Sequence, residues 1–361
     1  MSDIRKLVRQ ELLAIKAFDA KRPGFDTGVL LDANELPWAH ACYQDVALNR
    51  YIDEMFDAEI LDPLAAFYDT QSSHILLTRG SCEGIDLLVR AFCRPYQDNI
   101  VVSPPTFTIF AQCAMMQGAS VIHAPLARDQ DYKLDPQLLL NSVTDSTKLV
   151  FICTPNNPTG NLVSLEDILF ITKALAGKAM VVVDEAYMEF AQGKSAASLV
   201  ATHSNLVVLR TFSKAFGLAG LRCGAVIAQP PLISILNAMM LPFPISLLTT
   251  RSLKQALSDA NINKMKQQVV EIQQLRENVK KQLRQLPVVK KVWNSEGNFL
   301  FIQLKQSEAV LKACHEKPIL VRHFAGVKGF EDCLRVTIGL GPQNDVFLQM
   351  LASFEQISEV C

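Results

Sequence analysis

Six short apolar runs through the middle of this chain leave it few folds to choose from. They are I-L-L-T (75–78), N-I-V-V-S (99–103), L-V-F-I-C (149–153), M-V-V-V-D (180–184), L-V-V-L-R (206–210) and G-A-V-I-A (224–228). Continuous rather than alternating apolarity marks strands buried on both faces, the condition of a parallel sheet covered by helices. Helical patterns stand between several of the runs: C-E-G-I-D-L-L-V-R-A-F (82–92) and S-L-E-D-I-L-F-I-T-K-A-L (164–175). Ser164 with Asp167 makes a helix start for the second. The expected class is α/β, with a mostly parallel central sheet in a large domain.

The texture changes near residue 250. From Arg251 to Leu286 the chain reads as a long polar helix with one apolar face. After it, N-F-L-F-I-Q-L (298–304), P-I-L-V-R (318–322) and C-L-R-V-T-I-G (333–339) supply strands for a smaller α+β domain. A chain of 361 residues is more than one core usually holds, so two domains are expected. The boundaries read as 31–250 for the large domain, and 1–30 with 251–361 for the small one.

Composition excludes several function classes. A formal charge of −1 gives no reason to expect nucleic acid as a partner. The nine cysteines are scattered and free of C-x-x-C pairs, which favours reduced thiols in the cytoplasm over a disulfide framework or a zinc site. The first sixteen residues form a charged amphipathic pattern unlike a signal peptide, and no run nears the ~18 apolar residues of a membrane helix. Neither G-x-G-x-x-G nor G-x-x-x-x-G-K-[ST] occurs, and the six histidines, His123 among them, show no metal spacing. A cytoplasmic enzyme with no membrane partner and no metal is expected.

In an open α/β sheet the ligand sits beyond the carboxyl ends of the strands, and four motifs fall there. Lys214, in T-F-S-K-A-F-G-L-A-G-L-R-C-G (211–224), follows the fifth run; alone it would be a solvated loop lysine. Asp184 follows V-V-V, where a buried carboxylate needs a cationic or hydrogen-bonding partner; a helix N-cap is its plainer use. Asn157, in N-N-P-T-G (156–160), and Tyr187, in D-E-A-Y, supply two donors. R-G-S-C-E-G-I (79–85) places the amides of Ser81 and Cys82 at a helix start suited to phosphate, with Thr211, Ser213 and Arg222 completing a cradle.

An amine for a Schiff base, an acid for a ring nitrogen, two donors for a phenolate and a phosphate cradle are the equipment for pyridoxal 5′-phosphate. Phe107, in P-P-T-F (104–107), would stack on the pyridine ring, unless it is simply a core aromatic. Arg322 and Arg335, at or near strand ends of the small domain, would clamp anionic groups of a substrate.

These motifs resemble the fold-type I aminotransferases of the class I/II group. L-D-A-N-E (31–35), N-R-Y (49–51), R-G-S-C-E-G-I-D-L-L-V-R-A-F (79–92) and C-L-R-V-T-I-G narrow the resemblance to the histidinol-phosphate aminotransferase family. It implies a large cofactor-binding domain, with Lys214 carrying pyridoxal phosphate, Asp184 at its ring nitrogen, and Asn157 and Tyr187 at its phenolic oxygen. Ser81, Cys82, Thr211, Ser213 and Arg222 would bind the phosphate, joined by Tyr51 from a second subunit, so that a homodimer is implied. Arg335, Arg322, Asn157 and Phe18 would meet the substrate. The implied reaction belongs to histidine biosynthesis and moves an amino group between L-histidinol phosphate and 2-oxoglutarate, with Lys214 as proton carrier. An aromatic amino acid aminotransferase and a phosphothreonine-type decarboxylase share the same cofactor residues. Phe107 and Phe18 stand where the family often has tyrosine, and Ile52 where proline is usual, with D-E-M-F (53–56) unlike its loop. These departures touch substrate fit and subunit contact more than the cofactor site.

Overall fold

The computed structural model describes residues 29, 30, 34, 57–241, 243–324, 326, 327 and 329–354. A short strand, β1 (Val29–Leu30), precedes helix α1 (Ala58–Phe67). The central run of elements is then β2 (Ile75–Thr78), α2 (Ser81–Phe92), β3 (Asn99–Val102), α3 (Ile109–Gln117), β4 (Ser120–His123), α4 (Pro136–Asn141), β5 (Thr147–Cys153), α5 (Leu165–Ala174), β6 (Met180–Asp184), β7 (Leu206–Thr211) and β8 (Gly224–Ile227). The six apolar runs are all strands of one sheet, within a residue or two of the expected limits. Ser164 caps α5 as anticipated, its Oγ accepting the amide of Asp167 at 3.0 Å.

The sheet has seven strands in the order β2-β8-β7-β6-β5-β3-β4. β3 to β7 pair in parallel; β8 runs against both β7 and β2. β2 therefore shares the direction of β7, and every strand but β8 ends on the same edge. β8 begins there, which brings Arg222, just before it, to that edge too. β5, β6 and β7 are almost wholly buried, which their unbroken apolarity demanded. β4 has no such signature: Ser120 and His123 are exposed at the margin of the sheet.

Helices α6 (Pro230–Met239), α7 (Leu247–Ala256) and α8 (Asp259–Leu283) follow, then β9 (Val289–Val292), β10 (Phe299–Leu304), α9 (Ser307–Glu316), β11 (Ile319–Leu320), β12 (Arg322–His323), β13 (Cys333–Thr337) and α10 (Gly341–Ala352). The long helix expected over 251–286 is two helices. The chain breaks after α7 at Leu257 and restarts at Ser258, in extended conformation ahead of Asp259 in the first turn of α8. Likewise 318–322 divides between two short strands. β11 joins β1 in a parallel pair, while β12, β13, β10 and β9 form an antiparallel sheet in that order. The antiparallel sheet and the helices beside it make up the smaller α+β part.

Candidate active site

Three neighbouring parallel strands, β5, β6 and β7, deliver the central groups. Asp184 is the last residue of β6 and pairs with Cys153 and Leu209 on either side. Its side chain is 2% exposed and, among the described residues, accepts one hydrogen bond, from the amide of Ala186 at 3.1 Å. Burial, with Glu185 nearby, lifts its carboxyl to about 7 against the amide's opposing pull. A buried acid with so little compensation is poised for a proton-bearing partner. Three residues on, the ring of Tyr187 lies edge-on to Phe299 at 5.1 Å. Lys214 Nζ stands 5.8 Å from the centre of the same ring. Burial pushes the Tyr187 phenol up to about 12.

The N-N-P-T-G turn works as two halves. Asn156 is buried and structural: its Nδ2 donates to Pro105 O and Thr159 Oγ1, each at 2.8 Å, and its Oδ1 accepts from Thr106 at 2.9 Å. Asn157 is left to the site. Its Oδ1 accepts from Arg335 Nη1 at 2.5 Å, so the amide nitrogen is the end with hydrogens to offer. Arg335 and Arg322 are cross-strand partners on β13 and β12, which puts both guanidinium groups on one face. The strand pairing thus makes a two-arginine face and brings it against Asn157.

The phosphate-type cradle assembles where β2, β7 and β8 meet. Gly80, at φ 76°, turns the chain from β2 into α2, and a Cβ there would lie 2.8 Å from Arg222 Nη2. Gly224 is as constrained, since a Cβ on it would strike Ser81 N and Arg210 O, both at 2.7 Å. Two glycines therefore let the N-terminus of α2, with Ser81 and Cys82, close on the end of β7. Thr211 Oγ1 and Ser213 Oγ are 3.0 Å apart, and Arg222 Nη1 reaches Ser213 Oγ at 3.4 Å. Hydroxyls, a guanidinium and helix-start amides face one place, a donor set fitted to a phosphate dianion. Together with the undercompensated Asp184, this arrangement fits pyridoxal phosphate.

A family model, Aminotransferase class I and II, matches residues 27–350. The chain belongs to the class I and II aminotransferases. Among curated members of the family it is 38% identical over 353 residues to the histidinol-phosphate aminotransferase of Xanthomonas axonopodis pv. citri, covering 97% of each chain. To the same enzyme of Francisella philomiragia it is 37% identical over 346 residues, covering 96% of this chain and 94% of the other. The fold agrees with the crystal structure of histidinol-phosphate aminotransferase from Sinorhizobium meliloti in complex with pyridoxal-5′-phosphate. The TM-score is 0.80 at 21% identity, over 91% of each chain.

Most residues singled out from the sequence of this aminotransferase gather at that edge of the sheet. Tyr51 and Phe18 lie outside the described residues. Phe107 is half-buried and packs edge-on to Phe110 at 5.7 Å, and among the described residues it stacks on no ring. Beneath the site runs an ion network that sequence reading passed over. Arg210, in β7, meets Glu185 at 2.5 Å and Glu189 at 2.7 Å, with all three side chains at most 6% exposed. Glu185 also accepts from Ala196 N and Ser195 Oγ. A charged residue closing an apolar run was the available signal, for an arginine buried in a strand requires acids around it. Asn34, with Thr337 and Asn298, was missed as well.

Proposed function

We propose that this aminotransferase moves the amino group of L-histidinol phosphate to 2-oxoglutarate, with pyridoxal 5′-phosphate held covalently by Lys214. The observation that carries the reading is the Arg322–Arg335 pair joined to Asn157 at 2.5 Å, an anion clamp built onto a cofactor donor. The names of the 38% and 37% identical relatives support the substrate. Guanidinium forks accept phosphate and carboxylate alike, which suits one clamp to two substrates.

Bound pyridoxal phosphate supplies an electron sink that makes the substrate's Cα–H acidic. Asp184 holds a proton at the ring nitrogen. Asn157 Nδ2 and the Tyr187 hydroxyl donate to the phenolic oxygen. Ser81, Cys82, Thr211, Ser213 and Arg222 hold the phosphate, and Phe107 covers the ring face. Lys214 would carry the cofactor on its amine and, with substrate bound, would act as the base that takes the substrate's Cα proton and as the acid that gives it back. The amino group leaves with 2-oxoglutarate as glutamate in the second half-reaction. The chain divides at the read boundaries, 31–250 against 1–30 with 251–361, a split that the pairing of β1 with β11 supports. The working form is a cytoplasmic homodimer in which Tyr51 of each subunit completes the other's phosphate site. Exposed Leu241 and Met116 beside an open cavity of about 440 Å³ that borders Cys82 fit that arrangement.

The test is an absorption spectrum of the cofactor-loaded protein through one full cycle. L-histidinol phosphate should bleach the visible band, and 2-oxoglutarate should restore it. Bleaching by L-phenylalanine instead would transfer the assignment to an aromatic substrate, and carbon dioxide release without keto-acid turnover would make the protein a decarboxylase.

A further inference from the structure

Asn34 is fully buried, in the left-handed backbone region at φ 53°, where asparagine is better tolerated than most residues. All four of its polar groups are engaged. Its backbone N–H donates to Thr337 Oγ1 at 2.9 Å, and the same hydroxyl donates back to Asn34 Oδ1 at 2.8 Å. Asn298 Nδ2 donates to the Asn34 carbonyl at 2.8 Å. The remaining group, Nδ2, lies 3.2 Å from the hydroxyl of Tyr187.

This pattern has a direction. Thr337 Oγ1 receives the backbone N–H, so its single proton goes to Oδ1, and Oδ1 is the accepting end of the amide. Nδ2 must then face Tyr187, and an amide nitrogen only donates. The phenol oxygen accepts, which leaves its own proton to be given elsewhere. Turning the amide over would strand the Thr337 proton in a site that is 2% exposed, a costly burial. With the phenol raised to about 12 by burial, that proton stays on the oxygen through the neutral range.

We propose that Asn34 and Thr337 are positioning residues that set the direction of the Tyr187 hydroxyl, so that its proton is offered to the cofactor's phenolic oxygen. The inference rests on the pyridoxal-phosphate reading above. Thr337 lies two residues beyond Arg335 on β13, on the same face of the strand. One strand therefore carries an arm of the substrate clamp and the group that orients a cofactor donor. Substrate seating and cofactor acidity are mechanically joined.

The experiment is a pH titration of the visible absorption of the cofactor-loaded protein, made alongside thermal unfolding of the cofactor-free protein. A proton donated to the phenolic oxygen weakens that oxygen's hold on the proton it shares with the lysine nitrogen, so losing the donor raises the titration midpoint. Tyr187→Phe is the reference and should raise it. Asn34→Asp, once ionised, offers Tyr187 an acceptor and draws its proton inward; it should raise the midpoint by about one pH unit. In a Tyr187→Phe background it should add nothing. Thr337→Val, which frees the amide to turn, should move the midpoint in the same direction, and Thr337→Ser should hold the wild-type value. Asp184, Lys214, Arg335 and the Cys153 thiol surround Tyr187 and are retained in every variant. Tyr187→Phe moving the midpoint while Asn34→Asp and Thr337→Val only lower thermal stability would overturn the proposal. Should Asn34→Asp not fold, Thr337→Val against Thr337→Ser decides. A midpoint unmoved by Tyr187→Phe would instead bring down the assignment of Tyr187 beneath it.

Discussion

Asp184 and Glu185 are adjacent acids, 2% and 1% exposed, and the molecule treats them in opposite ways. Glu185 is closed: its carboxylate oxygens are taken by Arg210, Ser195 and the amide of Ala196. Asp184 is open, with a single accepted hydrogen bond among the described residues, from Ala186. Burial by itself therefore says little about function. A buried acid whose capacity is filled by its own protein is architecture, whereas one left half-satisfied at the mouth of a sheet is reserved for something that arrives later.

The largest effect should come from the open acid. Asp184→Asn cannot keep a ring nitrogen protonated, and turnover should fall about a thousandfold or more, measured as steady-state transamination. The same change should help the cofactor-free protein. Burial raises the Asp184 carboxyl to about 7, above its ordinary 3.8, so the folded state binds more protons than the unfolded one between those values. Stability from this group is full below the lower value and is lost as pH rises through the upper one. Thermal melts of cofactor-free Asp184→Asn should therefore exceed wild type at pH about 8, with the gap closing toward pH about 4. A variant that loses activity with no such gain would mean that Asp184 is already compensated and the contrast with Glu185 is false.

Glu185 should show the reverse division. Glu185→Ala leaves Arg210 buried with Glu189 alone and should cost about 3–5 kcal/mol in denaturant unfolding. The folded fraction should retain turnover within about tenfold of wild type, because Glu185 acts on Asp184 through its charge and the shared backbone and not through a side-chain hydrogen bond. A rate loss matching that of Asp184→Asn would merge the two acids into one functional unit.

The same distinction explains what could be read from the chain beforehand. Strands β5 to β7 are legible because burial on both faces forces unbroken apolar runs, and Asp184 stands out as the polar residue that ends one. Gly80 and Ser81 are legible because a turn followed by a helical pattern is local. β4 is not, since S-V-I-H at a sheet margin is half wet and shows neither periodicity nor continuity. The break at Leu257 and Ser258 hides inside a helical pattern that resumes after two residues. Arg210 was visible only as the last letter of an apolar run; both its acids come from the segment that follows the neighbouring strand. Asn34 belongs to a recognisable cluster, L-D-A-N-E, yet its use depends on Thr337, 303 residues away, and no local pattern encodes such a pairing.

The smallest effect tests how far the closed network extends. Arg210 Cζ lies 4.7 Å from the ring centre of Tyr68, the residue that ends α1, so the guanidinium has an aromatic face as well as two acids around it. Tyr68→Phe keeps that face and Tyr68→Leu removes it. If the face helps to hold the charge, Tyr68→Leu should be less stable than Tyr68→Phe by about 1 kcal/mol or somewhat more. Most of that difference should disappear in an Arg210→Met background, where there is no charge left to hold. A difference that persists there would be packing alone, and Glu185 and Glu189 would be the whole of what closes the network. A difference that vanishes would carry the closed side of the comparison out to α1. The architecture beneath Asp184 would then be anchored from the helix layer as well as from the sheet, while Asp184 itself keeps one bond among the described residues.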